Sequence, residues 1–342
     1  DENDLSWVPT ELPSSVQFIV SSSSESHKEE LKKMGWTVID VSPMSDEEAA
    51  CFVDQHMFKY GKYLSDEMRD QLCSHQFSRT PLYMKVVLDE LAIAGTRRGV
   101  ANTKNKLLAI DDAVGLLDSV VDRWEEVYSS AELDTVARTF AFLAIASGGL
   151  AEQELRQLVL AENNYPGTAW PAFFGSISWT LANDRGVYRI QNPDLVRVVS
   201  QKYLSCDETR IDLQEQLLEF CLGKGSDRHL VERCQLMRSL CRWNELADQL
   251  TNPRVFQAVK GLAVVEFWRE IGEHSEVSVP ERLIAFAKKI NGIVLSSAYP
   301  FRKGDEIRGR DVNRVGCLLS ILGHNEAAIE VFDIFISDYQ KQ

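Results

Sequence analysis

The chain has 342 residues, room for two or three domains at roughly 100 to 200 residues each. Thirty-seven Lys and Arg against fifty-one Asp and Glu leave a net charge of −14, which argues against the basic face that a nucleic-acid backbone or an anionic membrane requires. At 44% hydrophobic and 26% charged, the composition is that of a folded globular chain, and its apolar runs stop short of the ~20 residues of a membrane span.

Val16-Gln17-Phe18-Ile19-Val20 and Trp36-Thr37-Val38-Ile39-Asp40-Val41 are β-type runs on either side of a polar helix, Glu25 to Met34. Strand, helix, strand is the pattern of one βαβ crossover, too short for a whole doubly wound domain. From Ser45 the period turns helical. Ser45-Asp46-Glu47-Glu48 is a capping-box pattern, and Ala49, Phe52, Val53, His56, Met57 and Tyr60 recur behind it at helical spacing. Ser65 starts a second helix, and Pro81 a third that runs to Leu91 and is closed by Gly95.

Asp111 to Tyr128 and Ser130 to Ser147 read as amphipathic helices, followed by one from Ala151 to Ala161 and one from Trp170 to Leu181. Asn183 to Gly186 is turn-rich, Val187-Tyr188-Arg189-Ile190 alternates like a strand, and Pro193 opens a helix to Leu204. Helices, a small strand pair and a helix outline a winged-helix-like module. From Glu208 onward the chain reads as helix, broken at Asn252-Pro253, Val279-Pro280 and Tyr299-Pro300, with Phe301 to Arg310 as a linker.

Seven cysteines, an odd number without a C-x-x-C pair, read as small buried hydrophobes in a reducing compartment. Cys234 and Cys241 are expected on one core stripe with Leu230 and Met237, while His229, His274 and His324 are expected at the surface. Cys73 and His75, two apart on a helix, point to different faces and make no nucleophile pair. The chain contains no G-x-x-x-x-G-K-[ST] phosphate loop, no H-E-x-x-H and no G-x-S-x-G elbow. No catalytic residue and no metal ligand is assigned.

Three stretches carry a resemblance. Leu5-Ser6-Trp7-Val8-Pro9 with Leu12-Pro13 leads into Val16 to Ser22. Tyr60-Gly61-Lys62-Tyr63-Leu64-Ser65 is continued by Thr80-Pro81-Leu82-Tyr83-Met84 through Leu91. The third is Gly149-Leu150-Ala151-Glu152-Gln153-Glu154-Leu155. In this order they resemble the C-terminal part of a STAND-type NTPase, in the NACHT–tetratricopeptide group of nephrocystin-type and telomerase-associated proteins. At the C-terminus, Gly316, Ala328 and Phe332 fall at positions 8, 20 and 24 of the roughly 34-residue tetratricopeptide pattern. A hairpin of that kind packs Ala328 where its helices cross, with Val315, Leu319 and Ile329 in the seam. It needs neighbours to bury its face.

The resemblance implies a mainly α fold. Residues 1–44 would be the remnant of an α/β P-loop NTPase sheet and 45–110 a small helical domain. The winged-helix-like domain would span 111–205, a helical spacer 206–305 and a tetratricopeptide-like hairpin 306–342. The implied function is a non-catalytic, regulatory and scaffolding one, with protein partners on the repeats and coupling to an upstream NTPase domain. Ser21, Pro81 and Asn192 are the positions the resemblance would turn toward a nucleotide, ATP or ADP with Mg, in a longer protein. Asn192 stands where the family commonly has a His, so it can donate a hydrogen bond to phosphate but brings no positive charge. The setting implied is cytoplasmic, and ciliary or axonemal by the nephrocystin-type likeness.

Two other readings stay open. The chain opens Asp1-Glu2-Asn3 without Met, so residues are expected ahead of it. They would make the chain part of an intact ATPase switch if they include a P-loop. The second reading is a winged-helix nucleic-acid binder whose recognition helix, 193–204, holds Arg197 and Lys202 but also Asp194.

Overall fold

The computed structural model describes residues 5, 8–9, 13, 15–22, 24–94, 97–129, 134–160, 169–295 and 303–339. The described residues are mainly α-helical and carry one small antiparallel sheet. The chain divides into two compact units, Asp1–Asp111 and Asp112–Gln342.

In the first unit α1 (Glu25–Lys33), α2 (Asp46–Lys59) and α3 (Asp66–Cys73) each begin at a serine cap. The capping box at Ser45 is complete: Glu48 N–H donates to Ser45 Oγ at 3.2 Å, and Ser45 N–H donates to Glu48 Oε2 at 2.7 Å. Helix α4 (Pro81–Ile93) follows, with Pro81 in its first turn, then α5 (Arg97–Leu108), an element the sequence reading left unassigned. Tyr83, Met84, Val86, Val87, Leu88 and Leu91 are all buried, so α4 is apolar nearly all round and forms the centre of this unit. Asp89, buried on the same helix, has its carboxylate fully used. It accepts from His56 Nε2 at 2.7 Å, Tyr60 Oη at 3.0 Å and Lys85 Nζ at 2.7 Å. The Lys62 ammonium closes the other end of α4 by donating to the Ala92 and Ala94 carbonyls. Gly95, expected to end this helix, lies outside the described residues.

The two expected strands are a correction. Residues 16–20 and 36–41 form no ladder, although α1 lies between them as expected. A strand exists only with a partner, and here the runs leave Ile19, Ile39 and Val41 exposed. Phe18 does meet Trp36 edge-on at 5.9 Å, and Trp36 leans on a small cluster of Leu5, Val8 and Leu31.

The second unit opens with α6 (Ala113–Tyr128) and α7 (Thr135–Ile145), joined through Trp124 stacked on Phe140 at 5.5 Å. Then come β1 (Leu150–Ala151), α8 (Glu152–Leu160), α9 (Ala169–Ile177), β2 (Leu181–Asp184), β3 (Val187–Ile190) and α10 (Pro193–Tyr203). The sheet order is β1-β3-β2, all antiparallel, with Leu150 opposite Tyr188 and Leu181 opposite Ile190. Arg185 (φ 53°) and Gly186 (φ 85°) make the two-residue turn between β2 and β3, whose left-handed pair matches the twist of a hairpin. The helix expected over Trp170 to Leu181 stops early, because Leu181 begins β2; the strand β1 was not foreseen.

Helices α11 (Asp207–Leu222), α12 (Asp227–Ser239), α13 (Trp243–Leu250), α14 (Pro253–Ala258), α15 (Leu262–His274), α16 (Val279–Leu295), α17 (Lys303–Ile321) and α18 (Asn325–Tyr339) complete the unit. Each packs mainly on its neighbours, α12 on α14 and α13 on α15. Phe256 meets Phe286 edge-on at 5.3 Å. Arg314 of α17 reaches the Phe256 and Val259 carbonyls at the end of α14. The charged run expected as a linker is helical from Lys303, in keeping with the good helix propensity of Lys, Glu and Arg.

The cysteine reading needs correction too. All seven thiols are free, but Cys51, Cys206, Cys241 and Cys317 are exposed and only Cys221 and Cys234 are buried. Among the described residues, no helix is long and apolar enough to cross a membrane.

Candidate functional site

Ser21 and Pro81 lie in the first unit and Asn192 in the second. Ser21 is exposed on the extended run before α1, and Pro81 is exposed at the first position of α4. Asn192 is the N-cap of α10. Its Oδ1 accepts from the Asp194 N–H at 2.8 Å, which fixes the amide's orientation, and its buried Nδ2 has no partner among the described residues. The cations of α10 are engaged. Lys202 pairs with Asp118, Asp122 and Glu125, one acidic face of α6, while Arg197 sits 3.5 Å from Asp194. The helix that precedes the β2–β3 hairpin is α9, whose Trp170, Phe173, Phe174 and Ile177 are buried.

A second, densely bonded polar cluster was not foreseen. It lies where the turn after α7 and the start of α8 meet α12. Glu232, 2% exposed, accepts from Ser147 N–H at 3.0 Å, Ser147 Oγ at 2.9 Å and Gly148 N–H at 2.6 Å. One turn earlier, Arg228 donates to the Gly149 carbonyl at 2.6 Å and grips Glu154 at 2.5–2.6 Å. His229 is buried, not at the surface as expected. Its Nε2 is 2.7 Å from Glu154 Oε1 and its Nδ1 2.6 Å from Ser226 Oγ. With Glu154 ionised, Nε2 carries the proton and Nδ1 accepts from the serine hydroxyl.

The electrostatics follow from these contacts. Burial pushes the Glu154 carboxyl up, but the Arg228 hydrogen bond, the Ala151 N–H and the charge of Arg228 outweigh it and hold the group below its ordinary value. Burial and the adjacent Arg228 push His229 below its own, against the pull of Glu154. The backbone is fitted to this arrangement. A Cβ on Gly148 would lie 2.9 Å from Glu232 Oε2, and one on Gly149 (φ 70°) would lie 2.7 Å from the Tyr188 carbonyl. The signal in the sequence was the Gly148-Gly149 pair and Glu154, three residues after Ala151 in a box-like pattern; nothing local announced Arg228, His229 or Glu232.

At the other end of the unit, Gly316 faces Phe332 so closely that a Cβ would meet the ring at 2.6 Å. Val315, Leu319 and Ala328 are buried in the same seam, whereas Ile329, expected there, is 60% exposed. The α12–α13 pair ends its first helix in the same way as α17–α18. Cys241 (φ 55°) stands where Gly323 (φ 85°) stands, so it leaves the Leu230–Met237 stripe on which it was expected. Trp243 and His274 stack beside this turn at 5.3 Å.

The chain matches no family model and no solved structure. It is similar to a TPR repeat-containing protein of Dictyostelium discoideum, 25% identical over 260 residues that cover 75% of this chain and 16% of that protein. It is also similar to nephrocystin-3 of Mus musculus, 23% identical over 241 residues, 68% of this chain and 18% of that protein. Tetratricopeptide repeat protein 41 of Mus musculus is 25% identical over 227 residues, 59% of this chain and 17% of that protein. The chain thus spans less than a fifth of each of these relatives. The longest match exceeds what the helices from Asp207 onward hold, so it takes in residues of the sheet-bearing module or the first unit as well.

Proposed function

We propose that the chain is a non-catalytic scaffolding and coupling segment of a STAND-like protein, binding proteins through its helical hairpins. The observation that carries this reading is the α17–α18 hairpin, closed by Gly316 against Phe332 with Ala328 in the seam. Such a pair buries its face only by stacking, and stacked pairs offer extended surfaces to protein partners. Likeness to proteins named for tetratricopeptide repeats supports the same reading.

In this reading the α7–β1–α8–α9–β2–β3 order with sheet order β1-β3-β2 is a winged-helix module. Residues 1–44 are the end of an NTPase domain, 45–110 form a small helical domain, and 206–305 are a spacer leading to the repeat. An upstream domain would hold the nucleotide. Asn192 keeps a buried amide NH2 with no partner among the described residues, whose two N–H groups are free to donate to a phosphate oxygen that reaches them, and Ser21 and Pro81 are the other positions carried over from the family. The setting is cytoplasmic, with a ciliary association suggested by the likeness to nephrocystin-3.

Thermal unfolding of this chain with and without excess Mg-ADP or Mg-ATP tests the assignment. A ligand at 100 times its Kd adds about 2.7 kcal/mol, several degrees at this size. No shift is expected for the chain alone, and a shift is expected once the upstream domain is joined to it. A clear shift in the chain alone would overturn the reading in favour of an intact nucleotide switch.

A further inference from the structure

Within the second unit, the sheet-bearing module ends at Tyr203 and the helical hairpins begin at Asp207. Only Leu204, Ser205 and Cys206 connect them. On one side of this connection a cleft of about 910 Å³ opens between α7, α8, the end of α10 and α11. Its walls mix polar side chains with apolar ones such as Leu158, Val159 and Leu213. Arg138, Gln157, Asp212 and Gln216 line it, and Arg138 spans it by donating to the Leu158 carbonyl at 3.1 Å and to Gln216 Oε1 at 2.8 Å. Away from the cleft lies the cluster of Glu154, Arg228, His229 and Glu232, which ties the module to α12.

We propose that these parts make a hinge: the module 113–203 swings against α11 and α12 about Leu204–Cys206, and the Glu154–Arg228–His229–Glu232 cluster is the latch that holds it shut. A seam of apolar side chains, such as Trp124 on Phe140, loses its whole stabilisation when water enters. The latch is made instead of carboxylates, a guanidinium and peptide N–H groups, which regain hydrogen bonds from water as it parts, so its own share of the cost of opening is small for its number of contacts. The contacts are also short-ranged and directional, which gives a closed state of one geometry. Gly148 belongs to that closed state, because a side chain there would strike Glu232, whereas Gly149 is fixed within the module by the Tyr188 carbonyl. The cleft supplies the space into which the module can move.

The hinge stands without the nucleotide reading above, and its test contains no nucleotide. Spin labels are placed at Gln157 and Asp212, on opposite walls of the cleft, in the full chain with the exposed cysteines replaced by serine. The distance distribution is measured for the native latch, for Glu232→Gln and for Arg228→Lys, which keeps the charge but loses the planar fork. The native latch is expected to give one dominant short distance. Each variant is expected to raise a longer population about tenfold, the effect of losing a charge-assisted hydrogen bond. An unchanged distribution in a folded variant overturns the proposal. Failure of both variants to fold overturns it as well, because a joint that cannot part without unfolding the unit is not a hinge.

Discussion

Cys241 and Gly323 occupy the same place in two helical hairpins. Each follows a helix in the left-handed region, each donates its N–H to a carbonyl three residues back, and the next residue in each donates to one five back. Glycine takes that conformation freely, whereas an L side chain pays for it with its Cβ. Replacing Cys241 by Gly is therefore expected to stabilise the second unit by about 0.5–1 kcal/mol, while Gly323→Ala destabilises it by a similar amount. Urea unfolding of both variants checks the opposite signs.

The Gly316–Phe332 contact predicts a steric coupling. Gly316→Val drives a branched side chain into a ring that a single Cβ would already meet at 2.6 Å, at an expected cost of about 1–3 kcal/mol. Adding Phe332→Leu should recover at least half of that loss, and a double-mutant cycle measures it. Simple addition of the two single effects would show that the seam is looser than described.

The sequence made the α17–α18 hairpin readable because Gly316, Ala328 and Phe332 lie close together at fixed offsets. The α12–α13 hairpin escaped because Cys241 fills the place where glycine is the usual marker. The latch escaped for a different reason: Glu154 and His229 are 75 positions apart, and no local period encodes a partner at that distance. His229, near charged residues in sequence, looked solvated, yet it is satisfied in the interior by Glu154 and by the Ser226 hydroxyl. Residues 16–20 and 36–41 are β-type apolar runs, but such a run specifies no ladder partner. Ser21 and Pro81 are explained by loop and helix-start positions. Asn192 adds an unpartnered amide NH2 that its cap role did not announce.

The latch predicts a pH dependence. His229 is held below its ordinary 6.5 and Glu154 below its ordinary 4.5. In both cases the unfolded chain binds the proton more readily, so stability rises with pH across each window. The second unit should keep its full melting temperature above pH 6.5 and lose stability as the pH falls toward each folded value, first through His229 and then through Glu154. His229→Gln should abolish the first part of that loss. A melting temperature flat from pH 7 to 4 would contradict the assignment.

In the first unit, Asp89→Asn leaves His56, Tyr60 and Lys85 without the carboxylate they share. A cost of about 3 kcal/mol is expected, the scale of breaking a buried ion pair from one side. Burial together with the Asp89 hydrogen bond and charge also holds the Tyr60 hydroxyl above its ordinary 10. An ultraviolet titration should find Tyr60 closer to 10 in the variant.

The central claim, that this segment couples and scaffolds, is met most directly by amide hydrogen exchange in a protein carrying this chain with the upstream domain, in Mg-ADP and in Mg-ATP. The account predicts that protection of Ser147 and Gly148, whose N–H groups are held by Glu232, differs between the two nucleotides, with the hairpins α12–α18 following. Identical exchange in both would contradict it.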